Sequence, residues 1–179
     1  MKELIEQLTF TWGLSGININ NGASHQSIEQ LEENMGYYFP QDFKNYLEEI
    51  DGMTSGEADD SLFYFWDHVL IEDELKIAHQ MNKNSIYIGF ADRIVIDSIY
   101  MIEVSRQPQA TGKVGVRKNT FKVIAPSFKT FLLEYLNNLE KKLPKWEQTS
   151  DEDDDSNIFS LSRILCRFKA VLRDRSLIF

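Results

Sequence analysis

The stretch SHQSIEQLEENMGYYFPQDFKNYLEEIDG, residues 24–52, carries the clearest helix-start and helix-stop signals in the sequence. Either Ser24 or Ser27 can cap a helix, and Ser27 has Gln30 three residues later, in capping-box spacing. Gly36 stands where a left-handed C-terminal cap is needed. The helix between these signals has an apolar inner face formed by Ile28, Leu31 and Met35.

A second helix is predicted immediately afterwards. Pro40 suits its first turn, because proline has no amide hydrogen to leave unbonded there. Apolar residues then recur at i, i+3, i+4 and i+7, as Phe43, Tyr46, Leu47 and Ile50, and Gly52 ends the helix. The stretch therefore predicts two consecutive helices joined by a short turn.

Helical periodicity also occurs near both ends of the first 145 residues. Residues 2–12 place Leu4, Ile5, Leu8 and Trp12 on one face, and a Gly- and Asn-rich loop is predicted over residues 13–22. A closing helix is predicted over residues 127–143. Its continuous apolar stripe consists of Phe128, Phe131, Leu132, Tyr135, Leu136, Leu139 and Leu143.

Between the two helical regions the pattern is typical of strands. Aromatic and β-branched residues predict strands at 61–66, 85–90, 93–97 and 98–104, with a last hairpin at 113–118 and 120–124. Residues 69–71 extend or follow the first strand, and residues 72–81 can form a short helix. This order predicts an α+β fold: a central antiparallel sheet with flanking N-terminal helices and a closing C-terminal helix.

Charge divides the chain into three segments. The formal net charge of −9 separates into −8 for residues 1–150, −5 for residues 151–155 and +4 for residues 156–179. We therefore predict a domain at 1–145, an acidic linker at 146–157 and a basic amphipathic tail helix at 158–179. The apolar stripe of the tail consists of Ile158, Leu161, Leu165, Phe168 and Leu172.

The tail is expected to be accessory, so that the domain folds without it. An exposed apolar stripe is adhesive. The tail should therefore dock on its own domain or form a homodimer, with membrane association as the less favoured alternative.

Composition excludes several classes of protein. With 42% hydrophobic and 12% aromatic residues the chain is globular rather than disordered. The single cysteine, Cys166, excludes an internal disulfide framework and is read as a small apolar residue of the tail stripe. No signal peptide and no membrane-length apolar run is visible, so a cytoplasmic protein is expected. The acidic balance disfavours a nucleic-acid partner and favours a basic protein.

The sequence contains no recognisable catalytic motif. It has neither a Gly-x-Ser-x-Gly elbow nor a phosphate-binding glycine loop. A metal site built from His68, His79 and Asp67 is conceivable, but the spacing fits no ligand motif, and His25 does not complete one. We expect no enzyme activity, no metal and no cofactor.

A candidate partner surface surrounds the aromatic strand. It consists of Glu57, Asp59, Asp60, Trp66 and Asp67. Alternation predicts that two of the four aromatic residues at 63–66 face the core and that the other two are exposed anchors. The alternative interpretations are a solvated acidic loop and simple core packing. For Glu32, capping or pairing near the helix junction is favoured over partner contact.

Residues 24–52 resemble the opening signature of the SUKH superfamily, which includes a yeast cell-wall assembly regulator and many bacterial immunity proteins. The matching positions are Ile28, Glu32, Met35-Gly36, Phe39-Pro40 and Asp51-Gly52, where the usual pattern has Leu before the proline and Asn before the last glycine. Two further matches are Ile88-Gly89-Phe90 and the stretch from Ile124 to Leu132.

The resemblance implies an α+β binding protein without shared catalytic residues. In bacteria such proteins most often neutralise a secreted toxin, and the acidic balance of this chain favours a basic, nuclease-type toxin. The alternative is a regulatory scaffold of the cell-wall regulator type. An adjacent gene for a large secreted protein with a variable C-terminal toxin domain would distinguish the two.

Overall fold

The computed structural model describes residues 1–75, 78–80, 84–93, 98–108 and 112–139. Within these ranges the helices are α1 (Lys2–Leu14), α2 (His25–Met35), α3 (Gln41–Glu49), α4 (His68–Asp73) and α5 (Phe128–Leu139). The strands are β1 (Ile19–Asn21), β2 (Ile50–Met53), β3 (Phe63–Phe65), β4 (His79–Gln80), β5 (Ser85–Arg93), β6 (Ser98–Ser105), β7 (Val114–Arg117) and β8 (Phe121–Ala125). The predicted α+β class is confirmed.

The main sheet is antiparallel and has the strand order β3-β5-β6-β7-β8. Strand β6 occupies one side of β5, so β3 and β4 share the other side. Phe63 pairs there with Arg93, and His79 pairs with Tyr87. Strands β1 and β2 form a separate antiparallel pair. Most of the aromatic core lies between the main sheet and the helices.

The first predicted motif helix has the expected termini. The Ser24 hydroxyl accepts a hydrogen bond from the Ser27 amide at 3.1 Å, so Ser24 is the cap and the alternative at Ser27 is wrong. Gly36 ends the helix in the left-handed region at φ +68°. Ile28 and Leu31 are buried, as their spacing predicted.

The second motif helix is shorter than predicted. Pro40 is the residue before the helix rather than part of its first turn, and α3 ends at Glu49. The next residues pair as β2, so Gly52 lies in a strand and does not end the helix. A glycine is required there because φ is +72° and an added Cβ would lie 2.5 Å from the carbonyl carbon of Trp66.

Glu32 joins the two motif helices. Its side chain is buried, and Oε1 accepts a hydrogen bond from the Phe39 amide at 2.6 Å. The Lys44 ammonium lies 2.9 Å from Oε2. This arrangement confirms the predicted pairing role, since a carboxylate at this depth needs such donors.

Several of the predicted loops, strands and helices are wrong in type or in extent. The loop at 13–22 contains β1, and residues 69–71 belong to α4 rather than to a strand. Of the helix predicted over 72–81, residues 72–73 form the end of α4, and residues 79–80 form β4. Residue 93 ends β5, while residues 94–97 of the strand predicted at 93–97 lie outside the described residues. The final hairpin and the closing helix are confirmed.

The acidic linker, the tail helix and the end of the closing helix fall at residues 140–179. These residues lie outside the described part of the chain. The domain limits at 145 and 158, and the tail-mediated homodimer, therefore stay predictions.

Candidate functional site

The five residues of the candidate partner surface do not form one exposed patch. Asp60 is exposed. Glu57 is half-buried, and its carboxylate accepts a hydrogen bond from Asn18 Nδ2 at 2.8 Å. Asp67 is half-buried and caps α4 by accepting from the Leu70 amide at 2.7 Å. Asp59 and Trp66 are both buried, which corrects their placement on an accessible surface.

Asp59 belongs to a buried hydrogen-bond network. Its Oδ1 accepts from the amides of Ser61 and Phe63, each at 2.8 Å. Its Oδ2 accepts from the Tyr135 hydroxyl of α5 at 2.6 Å, and that hydroxyl accepts from Trp12 Nε1 of α1 at 3.0 Å. One carboxylate thus fixes a loop to two helices.

The electrostatics of this network follow from its depth. Burial raises the pKa of Asp59 above its ordinary value of 3.8, and the hydrogen bond from Tyr135 is the largest of several opposing effects. Burial also raises the pKa of Tyr135 well above 10, and the negative charge of Asp59 adds to this. The network is internal to the fold, because Trp12, Asp59 and Tyr135 are all buried.

The aromatic strand offers no exposed anchor. Phe63, Tyr64, Phe65 and Trp66 are all buried, so the predicted alternation of buried and exposed rings is wrong and the alternative interpretation, core packing, is confirmed. The physical reason is that both faces of the strand are covered. Phe63 and Phe65 pack on the helices, while the Trp66 ring lies over Gly89, where an added Cβ would stand 2.4 Å from it. Trp66 Nε1 donates to Asp92 Oδ2 at 2.8 Å.

The loop at residues 57–62, called here the Asp59 loop, exposes a residue that the sequence analysis missed. Leu62 has φ +60°, a left-handed conformation that disfavours leucine, and its side chain is 42% exposed. The conformation is fixed by the bonds to Asp59, by the Leu62 amide donating to the Asp59 carbonyl at 2.7 Å, and by Arg93 Nε donating to the Ser61 carbonyl at 2.7 Å. No pattern in the sequence predicts that a leucine adopts a left-handed backbone conformation.

Charge is concentrated in the first part of the chain. Residues 1–75, called here the acidic half, hold 16 carboxylate side chains against two lysines, a formal charge of −14. Residues 76–139 hold nine basic and four acidic residues, a charge of +5. The acidic half contains α1 to α4 and the Asp59 loop. The Asp59 loop therefore lies in the part of the chain that has a strongly negative net charge and a negative electrostatic potential.

The three histidines lie on different elements, α2, α4 and β4. His68 Nδ1 lies 2.5 Å from Asp51 Oδ2. Burial raises the pKa of Asp51 above its ordinary value of 3.8, and the hydrogen bonds with His68 oppose this shift only in part. His79 lies on β4 rather than on the predicted helix, and His25 is exposed beside Glu48. Among the described residues, no group of three or more His, Cys, Asp or Glu side chains could hold a metal ion. Nor does this part of the chain contain a helix long and apolar enough to cross a membrane.

The fold and the motif residues define the class of the protein. The model of the SMI1 / KNR4 family (SUKH-1) matches residues 22–134, and the chain belongs to this family. The match runs from the turn before α2 into α5, so it includes the Glu32 junction, Gly52 and the Asp59 loop, and it confirms the predicted membership of the SUKH superfamily. A comparison with curated proteins finds no match.

Proposed function

We propose that this protein is an immunity protein that acts in the cytoplasm by binding a cognate toxin and blocking its active site. Membership of the SMI1 / KNR4 family (SUKH-1) supports a binding protein rather than an enzyme. The charge of −14 in the acidic half favours a basic toxin, such as a nuclease whose site attracts phosphates. A carboxylate-rich surface is complementary to a site of that kind.

The observation that carries the proposed binding surface is the exposed Leu62 held at φ +60°. A strained backbone persists where its surroundings enforce it, and such residues are concentrated at functional sites. Here the buried Asp59 network enforces it. The exposed Asp60 and half-buried Glu57 belong to the same loop. An apolar side chain with charged neighbours matches the general anatomy of an interface, in which an apolar centre is surrounded by a polar rim.

Asp59 and Trp66 support this surface from within and do not contact the toxin. The Asp59 network holds the loop in one conformation before the toxin arrives. A preorganised loop loses less conformational freedom on binding, which strengthens the complex. Asp67 retains its role as the cap of α4 and adds to the negative field.

The test is stopped-flow association with the toxin domain encoded beside this protein's gene. Association should slow steeply as salt rises, because the Debye length falls from ~10 Å at 0.1 M to ~3 Å at 1 M. The paired substitutions Glu57→Gln and Asp60→Asn should lower the on-rate more than they raise the off-rate, because charges mainly accelerate encounter. Leu62→Gly should do the reverse, because it removes the anchor.

Stability measurements separate loss of the anchor from loss of the fold. Glycine adopts φ +60° freely, so Leu62→Gly should leave the melting temperature unchanged or raise it. Val123→Ala on β8 is the matched control, because Val123 is exposed in the region of net positive charge. An on-rate indifferent to salt, together with unchanged binding by Leu62→Gly, would overturn the proposed surface. Absence of a toxin gene beside this one would favour the regulatory scaffold.

A further inference from the structure

Helix α1 carries the two most exposed large apolar side chains of the described residues. Phe10 is 67% exposed and Leu14 is 74% exposed. They stand one turn apart on the side opposite Trp12, which is buried in the core. Exposed Glu3 and Glu6 continue the same line towards the N-terminus. These four residues are called here the outer stripe of α1.

The outer stripe needs an explanation. Single exposed apolar residues are ordinary, whereas Phe10 and Leu14 are adjacent on one helix face and together form a small apolar patch. Helix α1 also precedes the family match at residues 22–134. The stripe therefore lies outside the matched residues.

The other end of the chain has the complementary chemistry. Residues 158–179 have the helically spaced apolar stripe from Ile158 to Leu172, and residues 156–179 have a net charge of +4. This tail also lies beyond the family match, and outside the described residues. The apolar stripe of the tail can pack against Phe10 and Leu14, and its arginines have the charge opposite to that of Glu3 and Glu6.

The geometry of the chain allows the two segments to meet. The hydrogen bond from Trp12 Nε1 to the Tyr135 hydroxyl joins the C-terminal part of α1 to α5, and Tyr135 lies one turn before Leu139. Residues 140–157 then provide 18 residues before the tail. Fully extended, 18 residues reach at most about 60 Å, which is about three times the ~20 Å length of α1. Attachment to the same chain raises the effective concentration of the tail at α1, so weaker contacts suffice than between two separate molecules.

We propose that the C-terminal tail, residues 158–179, docks on the outer stripe of α1 of the same chain. The apolar stripe of the tail covers Phe10 and Leu14, and its basic side chains lie near Glu3 and Glu6. The two segments that flank the matched domain thus cover each other. This inference is independent of the proposed toxin-binding function, because it concerns a different surface and an intramolecular ligand.

The only cysteine of the chain provides the test without any substitution. A nitroxide spin label on Cys166 of the full-length protein should broaden the amide NMR signals of α1 around Phe10 and Leu14, and should leave β8 unaffected. The double substitution Phe10→Asp and Leu14→Asp should abolish this broadening. Both side chains are exposed, so the double variant should fold normally, and its melting temperature checks this.

A second measurement guards against disturbance of the docked tail by the label. In an unlabelled Glu6→Cys variant, mild oxidation should form an intramolecular disulfide with Cys166. The matched Val123→Cys variant, also at an exposed site, should not form one.

The outcomes distinguish the possible occupants of the stripe. Broadening within one molecule, lost in the double variant, supports the proposal. Broadening seen only between spin-labelled and isotope-labelled molecules would show a dimer and overturn it. Broadening that appears only with lipid vesicles, or no broadening at α1 together with no Glu6→Cys disulfide, would overturn it as well.

Discussion

Replacing Phe131 by alanine is expected to lower the free energy of unfolding by about 3–5 kcal/mol, the usual range for a buried phenylalanine. Phe131 is completely buried in the middle of the α5 stripe. Its ring lies within 6.4 Å, centroid to centroid, of the rings of Phe63, Phe65, Phe90, Tyr100, Phe128 and Tyr135. The substitution leaves a cavity that this rigid group of rings cannot readily fill. Urea-induced unfolding measures the loss.

Leu133→Ala is the matched control for this experiment. It lies two residues along the same helix, and its side chain is 44% exposed. Its cost should stay within about 0.5 kcal/mol, as for most surface substitutions. Equal effects of the two substitutions would mean that α5 does not contribute its apolar stripe to the core.

The parts of the fold that the sequence predicted well are determined locally. Ser24 and Gly36 act through backbone groups within four residues, so their effect is visible in the sequence. The α5 stripe is equally local, because helical spacing alone places Phe128, Phe131 and Tyr135 on one face. The Glu32 junction is local as well, since both partners of this carboxylate lie within twelve residues of it in the chain.

The short strands could not be predicted because their partners define them. Strand β1 has three residues, and it pairs with β2 about thirty positions later in the chain. Strand β4 has two residues and exists through its pairing with β5. A glycine at position 52 is compatible both with the end of a helix and with this strand, so the sequence alone does not distinguish them. The approach of the Trp66 backbone, which decides between them, is a tertiary contact.

The burial of the candidate site residues could not be predicted for the same reason, because it depends on tertiary contacts. Asp59 stands in a polar loop beside Asp60, a pattern typical of solvated carboxylates, but its burial depends on Tyr135, 76 positions away. Trp66 is buried because Gly89 leaves space for its ring. In each case a distant residue decides the exposure. The acidic character of the surface was predictable, whereas the residues that present it were not.

Replacing Asp59 by alanine is expected to destabilise the protein by about 3 kcal/mol or more. The Phe63 amide and the Tyr135 hydroxyl would be left buried without an acceptor, and each unsatisfied buried donor costs ~1–3 kcal/mol. The part-buried Ser61 amide would lose its acceptor as well. Asp59→Asn should cost clearly less, because the amide oxygen still accepts from both backbone amides. Urea-induced unfolding of the two variants measures the difference.

The wild type and Asp59→Asn should also differ in how stability depends on pH. Burial gives Asp59 a higher pKa in the folded chain than its ordinary value of 3.8. The folded state therefore binds this proton more tightly than the unfolded state does. The resulting stabilisation is fully present below about pH 3.8 and is lost as pH rises through the folded-state pKa. Between pH 7 and the mildly acidic range, Asp59 should make the wild type more stable as pH falls.

Asparagine cannot titrate, so Asp59→Asn should gain less stability than the wild type when the pH is lowered. Asp51, whose pKa burial also raises, is present in both proteins and cancels in the comparison. The difference in unfolding free energy between the two proteins, measured at several pH values, thus reports Asp59 alone. A difference that stays constant with pH would show that Asp59 has the same pKa folded and unfolded. It would then be a hydrated surface carboxylate, as its sequence context indicated, and not the buried acceptor that fixes the Asp59 loop.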